Sequence, residues 1–414
     1  MTASPAPPVY TVLPFVLMLL TIAIAPLWAP ERWGPNGNKL LVAAALGAPV
    51  LLLYLFREPR ALLGMAEEYL SFIILLSSLY AISGSIRLTG DLEATPLTNT
   101  TFLALGSVLA SLIGTTGASM LLIRPLLQTN RERRRVKHTV TFFIFLVSNI
   151  GGMLTPLGDP PLFLGYLQGV PFAWTLRLWP HWLFMTGVLL LLYFVWDTRE
   201  HARESAVARR RDRADIAPLR VQGALNALWL ALVVLAVALL AAPWRELAIL
   251  TCAGVSLWRT PPSIRHANGV TAHPMIEVAV LFVGIFLTMI PALELLRVRG
   301  GELGVREPWH FFWATGVLSS FLDNAPTYLT FLALAQGSRL PEDVVGVTHR
   351  VLAAISVGAV AMGANSYIGN APNFMVKSIA EEAKVPMPSF FGYMLYSAGI
   401  LVPLFVATTL LFFR

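Results

Sequence analysis

Two carboxylates stand inside segments of this chain that are otherwise apolar. Asp159 lies in the run Leu-Gly-Asp-Pro-Pro, and Asp323 lies in Phe-Leu-Asp-Asn-Ala-Pro. An acid at bilayer depth is energetically costly, so it commonly marks an ion or proton pathway. The alternative is that each aspartate caps the start of a helix, because its charge suits the positive helix end. We expect Asp323 to be the main ion-binding acid, with Asp159 beside it.

Hydroxyl and amide side chains accompany both acids along the sequence. They are Thr115, Thr116, Ser148, Asn149, Thr155, Asn324, Thr327, Asn365, Ser366 and Asn370. Side-chain oxygens, together with carbonyls released at helix breaks, are hard ligands that suit sodium. We predict a sodium site near Asp323, Asn324, Asn149 and Asn365; for any single residue the alternative is a backbone cap. A carboxylate there binds either a proton or a cation, so the two would compete.

Four basic residues lie close to these segments. Lys377 either pairs with an acid or attracts an anionic substrate; alternatively its amine extends to the membrane interface. We interpret Arg124 as an anchor that fixes orientation. His138 and His349 flank the two segments and could sense pH, although histidines in loops usually have no such role.

The elements that carry these residues contain two interruptions. Residues 149–161 and 363–373 are rich in glycine, proline and asparagine, and each interrupts a hydrophobic segment. Glycine and proline weaken or break a helix, and irregular backbone at membrane depth is tolerated only where it is buried in protein or lines a watery cavity. Paired interruptions in matching positions of two halves indicate the binding site of a transporter.

Composition places the chain in a membrane. Of its 414 residues, 56% are hydrophobic and 13% are charged. Soluble domains carry about 25% charged residues, which excludes that class. The net charge of +7 lies mostly in short loops, which indicates membrane orientation by Lys and Arg and no nucleic-acid partner.

Two further features of the composition limit the alternatives. Cys252 is the single cysteine, so neither an intrachain disulfide nor a thiolate metal cage is predicted. The first apolar run lacks the basic start of a signal peptide, so we expect a membrane helix there.

Eight plain apolar runs and two interrupted units organise the chain. The runs cover residues 9–28, 40–56, 69–86, 181–196, 221–242, 247–258, 275–291 and 390–413. Each unit combines a hairpin with a broken helix. We expect the two units to form the transport core, at residues 100–170 and 311–385. The scaffold helices are then expected in 1–99 and 171–310, with a solvated cytoplasmic linker at 197–220, and a C-terminal helix in 386–414. No soluble domain is predicted.

The two units align with each other at nearly constant spacing. Gly158, Pro161 and Phe163 fall on Gly369, Pro372 and Phe374, which predicts an internal repeat. Loop charge then predicts its orientation. The basic loops 131–137, 199–220 and 259–273 should be cytoplasmic, while 294–310 and 336–349 should be external. The first hairpin therefore enters from the cytoplasm and the second from outside. We predict an all-α polytopic membrane protein with two inverted repeats, each with a re-entrant hairpin and a discontinuous helix.

The motifs together resemble the ion transporter superfamily. They are residues 148–161 with Ser-Asn-Ile-Gly-Gly and Thr-Pro-Leu-Gly-Asp-Pro-Pro, residues 323–327 with Asp-Asn-Ala-Pro-Thr, and residues 363–373. The resemblance is closest to the branch of arsenite permeases and NhaD-type sodium/proton antiporters, and such chains are also grouped with citrate transporters. It implies an elevator-like movement of the core against the scaffold, often in a homodimer. By position, it implies an ion site lined by Thr115, Asn149, Asp323, Asn324, Asn365 and Asn370, with Asp159 adjacent.

One departure from the antiporter branch concerns the first hairpin. That branch typically has an Asp-Asn pair there, whereas this chain has Gly-Thr-Thr-Gly at 114–117. The absence of that acid weakens the case for an electrogenic exchanger with two acids and leaves Asp159 as a substitute.

The leading functional hypothesis is a sodium/proton antiporter in a bacterial inner membrane, with Asp323 exchanging the two cations. The alternative is a carrier of citrate, another carboxylate or arsenite, because helix N-termini bind anions and Lys377 would assist. No cofactor is expected beyond the transported sodium and proton; the expected partners are the lipid bilayer, a small ion or anion, and a second copy of the chain. An enzyme is disfavoured because HExxH, GxSxG and His/Cys clusters are missing from the sequence. A channel is a further alternative, distinguished by uncoupled flux.

Overall fold

Helices dominate the structure. The computed structural model describes residues 7–338 and 343–414; part of the predicted external loop, 339–342, lies outside the described residues. Within the described ranges, eight helical segments are long and apolar enough to cross a membrane. The all-α, multi-pass fold predicted from composition is therefore confirmed.

The N-terminal region consists of helices. They are α1 (Leu13–Trp28), α2 (Pro30–Trp33), α3 (Asn36–Arg57) and α4 (Pro59–Ser83). The first predicted hairpin and broken helix follow as α5 (Pro96–Ile113), α6 (Thr115–Thr129), α7 (Lys137–Leu146) and α8 (Pro160–Leu167). Between α7 and α8 the chain forms a short 3₁₀ turn, Ile150–Leu154, and a loop. The helix is thus broken where residues 149–161 predict a break.

The central helices are α9 (Trp179–Ala202), α10 (Ala206–Ala214), α11 (Asn226–Leu239), α12 (Trp244–Arg259), α13 (Pro262–Ala267) and α14 (His273–Arg299). The second hairpin and broken helix are α15 (Pro308–Ser319), α16 (Asn324–Gly337), α17 (His349–Met362) and α18 (Ala371–Glu382), and α19 (Phe390–Thr408) follows. A 3₁₀ turn, Gly363–Asn365, and a loop separate α17 from α18, which is the second predicted break.

Two predicted spans differ in length from the helices that they form. The run 221–242 forms the shorter α11, which has 14 residues, and the run 247–258 lies within the longer α12, which has 16 residues. The first run loses its beginning because residues Ala217–Gln222 form strand β2, which pairs antiparallel with β1 (Arg87–Asp91). Neither strand was predicted, since both are short segments within polar loops.

Each hairpin packs against the broken helix of the other unit. α6 of the first hairpin packs against α18, and α16 of the second hairpin packs against α8. Several of the helices in these units begin with proline at the first position, which suits a helix start because that N–H has no partner within the helix. This packing brings the starts of α6, α8, α16 and α18 together. The division into core and scaffold and the inverted orientation of the units stay predictions.

The predicted solvated linker at 197–220 is largely folded. α9 continues to Ala202, α10 and β2 occupy much of the rest, and Asp197, Glu204 and Asp212 are buried. Asp197 accepts hydrogen bonds of 2.5 and 3.0 Å from Arg133 and contacts His138 Nε2 at 2.8 Å. The rest of the segment is mostly exposed, as its polar pattern predicted, and the three buried acids are the exceptions because each accepts hydrogen bonds from a loop packed against it.

Removal of this buried acid should destabilise the protein strongly. Asp197→Ala leaves the Arg133 guanidinium, only 3% exposed, without its counter-charge. The cost of breaking such a pair is about 3–5 kcal/mol, so we expect a large drop in the unfolding midpoint of the purified protein in detergent. Arg203→Ala removes an exposed partner of Glu200 and should leave the midpoint unchanged. Equal midpoints for the two variants would contradict the assigned role of the pair.

Candidate functional site

Four helix starts meet at one small cavity. The cavity measures about 150 Å³, and residues at the starts of α6, α8, α16 and α18 line it. They include Gly114, Thr115, Thr116, Pro160, Asp323, Asn370 and Ala371. The start of α6 follows Gly114, whose φ is +83°. Only glycine adopts that conformation readily. Since each helix start is a region of positive potential, the arrangement concentrates four of them on one point.

Asp159 connects these four helix starts. The residue immediately precedes α8, and it is 2% exposed. Its Oδ1 accepts hydrogen bonds from Thr115 Oγ1 at 2.9 Å and Asn370 Nδ2 at 3.0 Å, and its Oδ2 accepts one from Asn324 Nδ2. Thr115 begins α6, Asn324 begins α16 and Asn370 precedes α18. One carboxylate is therefore shared by all four helices.

The local sequence explains why Asp159 reaches across to other helices. A residue that caps a helix usually accepts from the second or third backbone N–H. Pro160 and Pro161 have no N–H, and the N–H of Leu162 donates to the Asp159 carbonyl. The carboxylate is therefore free to accept from the other three helix starts.

Asp323 lacks that proline pair and behaves as the alternative interpretation predicts. Its Oδ1 accepts from the Ala325 N–H at 3.0 Å, so it caps α16, while its carbonyl accepts from Thr327 Oγ1 at 2.9 Å. It still lines the cavity and is only half-buried. The structure thus places the Asp159 carboxylate at the centre of the hydrogen-bonded cluster and Asp323 at its edge, while the ion-binding role of each acid stays a prediction.

The proline contrast leads to a prediction. Pro161→Ala supplies a backbone N–H at the second position of α8, which should draw the Asp159 carboxylate away from its neighbours. Loss of about one hydrogen bond to a charged group costs roughly 1.5 kcal/mol or more, so we expect transport to fall about tenfold while the protein stays folded. Pro308→Ala removes a proline from the start of α15, away from the cavity, and should have no effect. Equal transport rates in both variants would refute this explanation.

A chain of amides joins the two broken helices. Asn149 Nδ2 donates to Asn373 Oδ1 at 2.7 Å, and Asn149 Oδ1 accepts from Asn370 at 3.3 Å. Asn373 in turn donates to the carbonyls of Gly363 and Ser366, each at 2.9 Å. Asn373 was not among the predicted site residues. The sequence signal that could have found it is its position as the last asparagine of the interrupted segment 363–373, three residues after Asn370, and its side chain is fully buried.

Hydroxyls at matching positions of the two units donate hydrogen bonds to backbone carbonyls in the same way. Thr155 Oγ1 donates to the Ser111 carbonyl, and Ser366 Oγ donates to the Ser320 carbonyl. Ser111 Oγ donates to the carbonyl of Gly151, and Ser320 Oγ donates to that of Met362. These pairs occupy matching positions of the aligned units, so Thr155 and Ser366 act as backbone braces. Ser148 is likewise occupied, since its hydroxyl lies 2.8 Å from that of Ser119.

Two buried amide oxygens near the site have no hydrogen-bond partner among the described residues. They are Asn324 Oδ1 and Asn365 Oδ1. Asn324 donates to Asp159 through its Nδ2, whereas Asn365 donates to Ser320 Oγ at 2.9 Å. An unpartnered buried oxygen is costly, and it is the type of ligand that sodium prefers. Asn324 with Asp159 is therefore the best-placed part of the predicted sodium site, and the binding role of all these residues stays a prediction.

The basic residues lie elsewhere. Lys377 pairs with Glu381 at 2.9 Å and lies over the rings of Tyr367 and Phe374, instead of pairing with either cavity acid. His138 contacts Asp197, as described above. His349 accepts from Trp174 Nε1 at 2.9 Å and is not part of the cavity lining. Arg124 lines a different pocket beside α6.

A multi-pass helical bundle whose broken helices meet at a cavity, with buried polar side chains at the helix starts, defines a secondary transporter of the membrane, and not an enzyme. The comparison with known families gives the same class. The chain belongs to the family described as "Putative citrate transport", whose model matches residues 4–413. No curated protein matches the chain.

Proposed function

We propose that this transporter carries a small carboxylate, of which citrate is the representative, together with sodium or a proton that binds at Asp159. The observation that carries the proposal is the sharing of one buried carboxylate by four helix starts. The description of the family supports a carboxylate as the substrate.

The charge balance of the cavity supports coupling between the anion and a cation. Each helix start contributes roughly half a positive charge, so the four together approximately offset the ionised carboxylates of Asp159 and Asp323. An anion that enters alone makes the buried site negative, and a cation that enters alone makes it positive. Binding of both leaves the site closer to neutral than binding of the anion alone, which favours joint transport.

The cation would bind on the Asp159 side of the cavity. The Asp159 carboxylate is hydrogen-bonded to the Asn324 amide, whose Oδ1 has no partner among the described residues; oxygens of these two types suit sodium, and the carboxylate alone suits a proton. The anion would bind where the starts of α6 and α18 present backbone N–H groups and the Thr116 hydroxyl.

Sodium/proton antiport is the second candidate. It is favoured by the composition of the cavity, whose lining among the described residues includes Asp323 and no lysine or arginine, with Asp159 immediately beside it. In this version the same Asp159 carboxylate exchanges sodium for a proton, and no organic substrate is needed. In both versions the core units 100–170 and 311–385 would move against the remaining helices in an elevator-like cycle, within a homodimer in a bacterial inner membrane.

A transport panel in proteoliposomes tests the proposal. Labelled citrate uptake should rise when an inward sodium or proton gradient is imposed and should stop when the gradient is dissipated. A pH-sensitive dye in the same vesicles reports antiport if sodium or lithium moves protons without citrate. Arsenite serves as the competing anion. Absence of gradient-driven citrate uptake would reject the carboxylate proposal, and absence of sodium-driven proton movement would reject the second.

A further inference from the structure

A second pocket of about 410 Å³ lies beside the first hairpin. We call it the basal pocket, and its charged lining residues are Arg87, Arg124 and Arg131 together with Asp91 and Asp215. Arg131, Asp215 and Asn268 come from the three loops whose charge predicts a cytoplasmic location. Because the three loops meet at one pocket, they lie on the same side of the membrane, which agrees with the prediction from their charge.

The arginines of the basal pocket are not equally paired. Arg131 Nη2 lies 2.8 Å from Asp215 and 3.6 Å from Asp91, so it forms ion pairs with both aspartates of the pocket. Among the described residues, Arg87 and Arg124 have no ion pair, and both are half-buried. Two guanidinium groups without counter-charges in a concave site attract an anion. Arginine suits a carboxylate particularly well, because its planar fork donates two parallel hydrogen bonds.

One helix joins the basal pocket to the transport cavity. Thr116 and Gly117 of α6 line the cavity, while Met120, Arg124 and Gln128 of the same helix line the basal pocket. These positions repeat every three or four residues and so lie on one face of α6. Thr116 and Arg124 are separated by roughly 12 Å along the axis, at about 1.5 Å per residue.

We infer that the basal pocket is a second anion site, on the cytoplasmic side, where Arg87 and Arg124 bind the carboxylate before it enters the cavity or after it leaves. The choice of a carboxylate as ligand rests on the proposed function. A site of this kind raises the local concentration of an anionic substrate, and its effect weakens as ionic strength rises. Because it contains no acid free to bind sodium, it should bind the anion without sodium.

Equilibrium binding of labelled citrate to the purified protein in sodium-free buffer tests the inference separately from transport. Wild-type protein should bind citrate, more weakly at high ionic strength. Arg124→Gln and Arg87→Gln should each weaken binding at least about fivefold and reduce its salt dependence, whereas Arg124→Lys, which keeps the charge but loses the planar fork, should weaken binding less and keep its salt dependence. Arg199→Gln is the matched control, since Arg199 is exposed, lies on the predicted cytoplasmic face and is outside the pocket.

The outcomes distinguish this site from the transport proposal. Loss of sodium-free binding in the two pocket variants, with normal binding in the control, supports the basal pocket even if gradient-driven citrate uptake fails. No sodium-free binding by monodisperse wild-type protein, or an equal loss in Arg199→Gln, overturns it, whatever the uptake experiment shows.

Discussion

Replacement of Asp159 by asparagine is expected to abolish coupled transport. The asparagine side chain has nearly the same size but only one acceptor oxygen, so it cannot accept from Thr115, Asn324 and Asn370 together. Loss of about two hydrogen bonds to a charged group, at roughly 1.5 kcal/mol or more each, corresponds to at least about a hundredfold lower rate. Loss of the charge also removes the cation ligand. Gradient-driven uptake of labelled citrate, with the dye assay for sodium and protons, measures both effects.

Asp323→Asn is the matched comparison for this experiment. Asparagine also caps helices well, so the bond to the Ala325 N–H can be kept. We therefore expect a smaller loss than in Asp159→Asn. Sequence reasoning alone predicts the opposite order, with complete loss in Asp323→Asn. A larger defect in that variant would show that the half-buried acid, and not the central one, binds the cation.

Gly158→Ala is expected to disrupt the cavity as severely, for a steric reason. A Cβ at this position would overlap the carbonyl of Gly152, because the loop before α8 crosses directly over the 3₁₀ turn. The Gly152 atoms that the Cβ would meet belong to the backbone, so relief requires movement of the loop that carries Asp159. Overpacking costs about 1–3 kcal/mol in a well-packed core, and displacement of a reacting group by about 1 Å lowers activity roughly a hundredfold.

Uptake and the unfolding midpoint should both fall in Gly158→Ala. The control is Gly187→Ala on the exposed side of α9, where an added Cβ meets nothing within 4 Å. That variant should behave as wild type. A normal transport rate in Gly158→Ala would show that the loop and the 3₁₀ turn are not held against each other as the structure has them.

Much of the architecture was predictable because it depends on local chemistry. Glycine and proline end helices wherever they occur in these segments, so the breaks near Gly151 and Gly369 and the turns at Gly114 and Asp323 followed from the sequence. The lengths of α11 and α12 and the strand pair β1 and β2 did not, because each depends on contact between segments far apart in the chain.

The centre of the site was less predictable for the same reason. The Asp-Pro-Pro run was interpreted as a helix start, which is correct, but the partners of the Asp159 carboxylate come from helices that are distant in the sequence. The missing N–H groups of Pro160 and Pro161 were the available signal. Lys377 illustrates the opposite case, since a local acid one helical turn onward, Glu381, binds it before any distant group can.

The Asp197 ion pair has a consequence for how the protein can move. It fixes the base of the first hairpin, through Asn99, Asn130 and Arg133, to the far end of α9. A transport cycle that separated these groups would expose a buried charge at a cost of about 3–5 kcal/mol on every turnover. In the proposed elevator-like cycle, the end of α9 would therefore travel with the hairpin base, and the hinge would lie within α9 or beyond it. The boundary of the moving part at residue 171 stays a prediction.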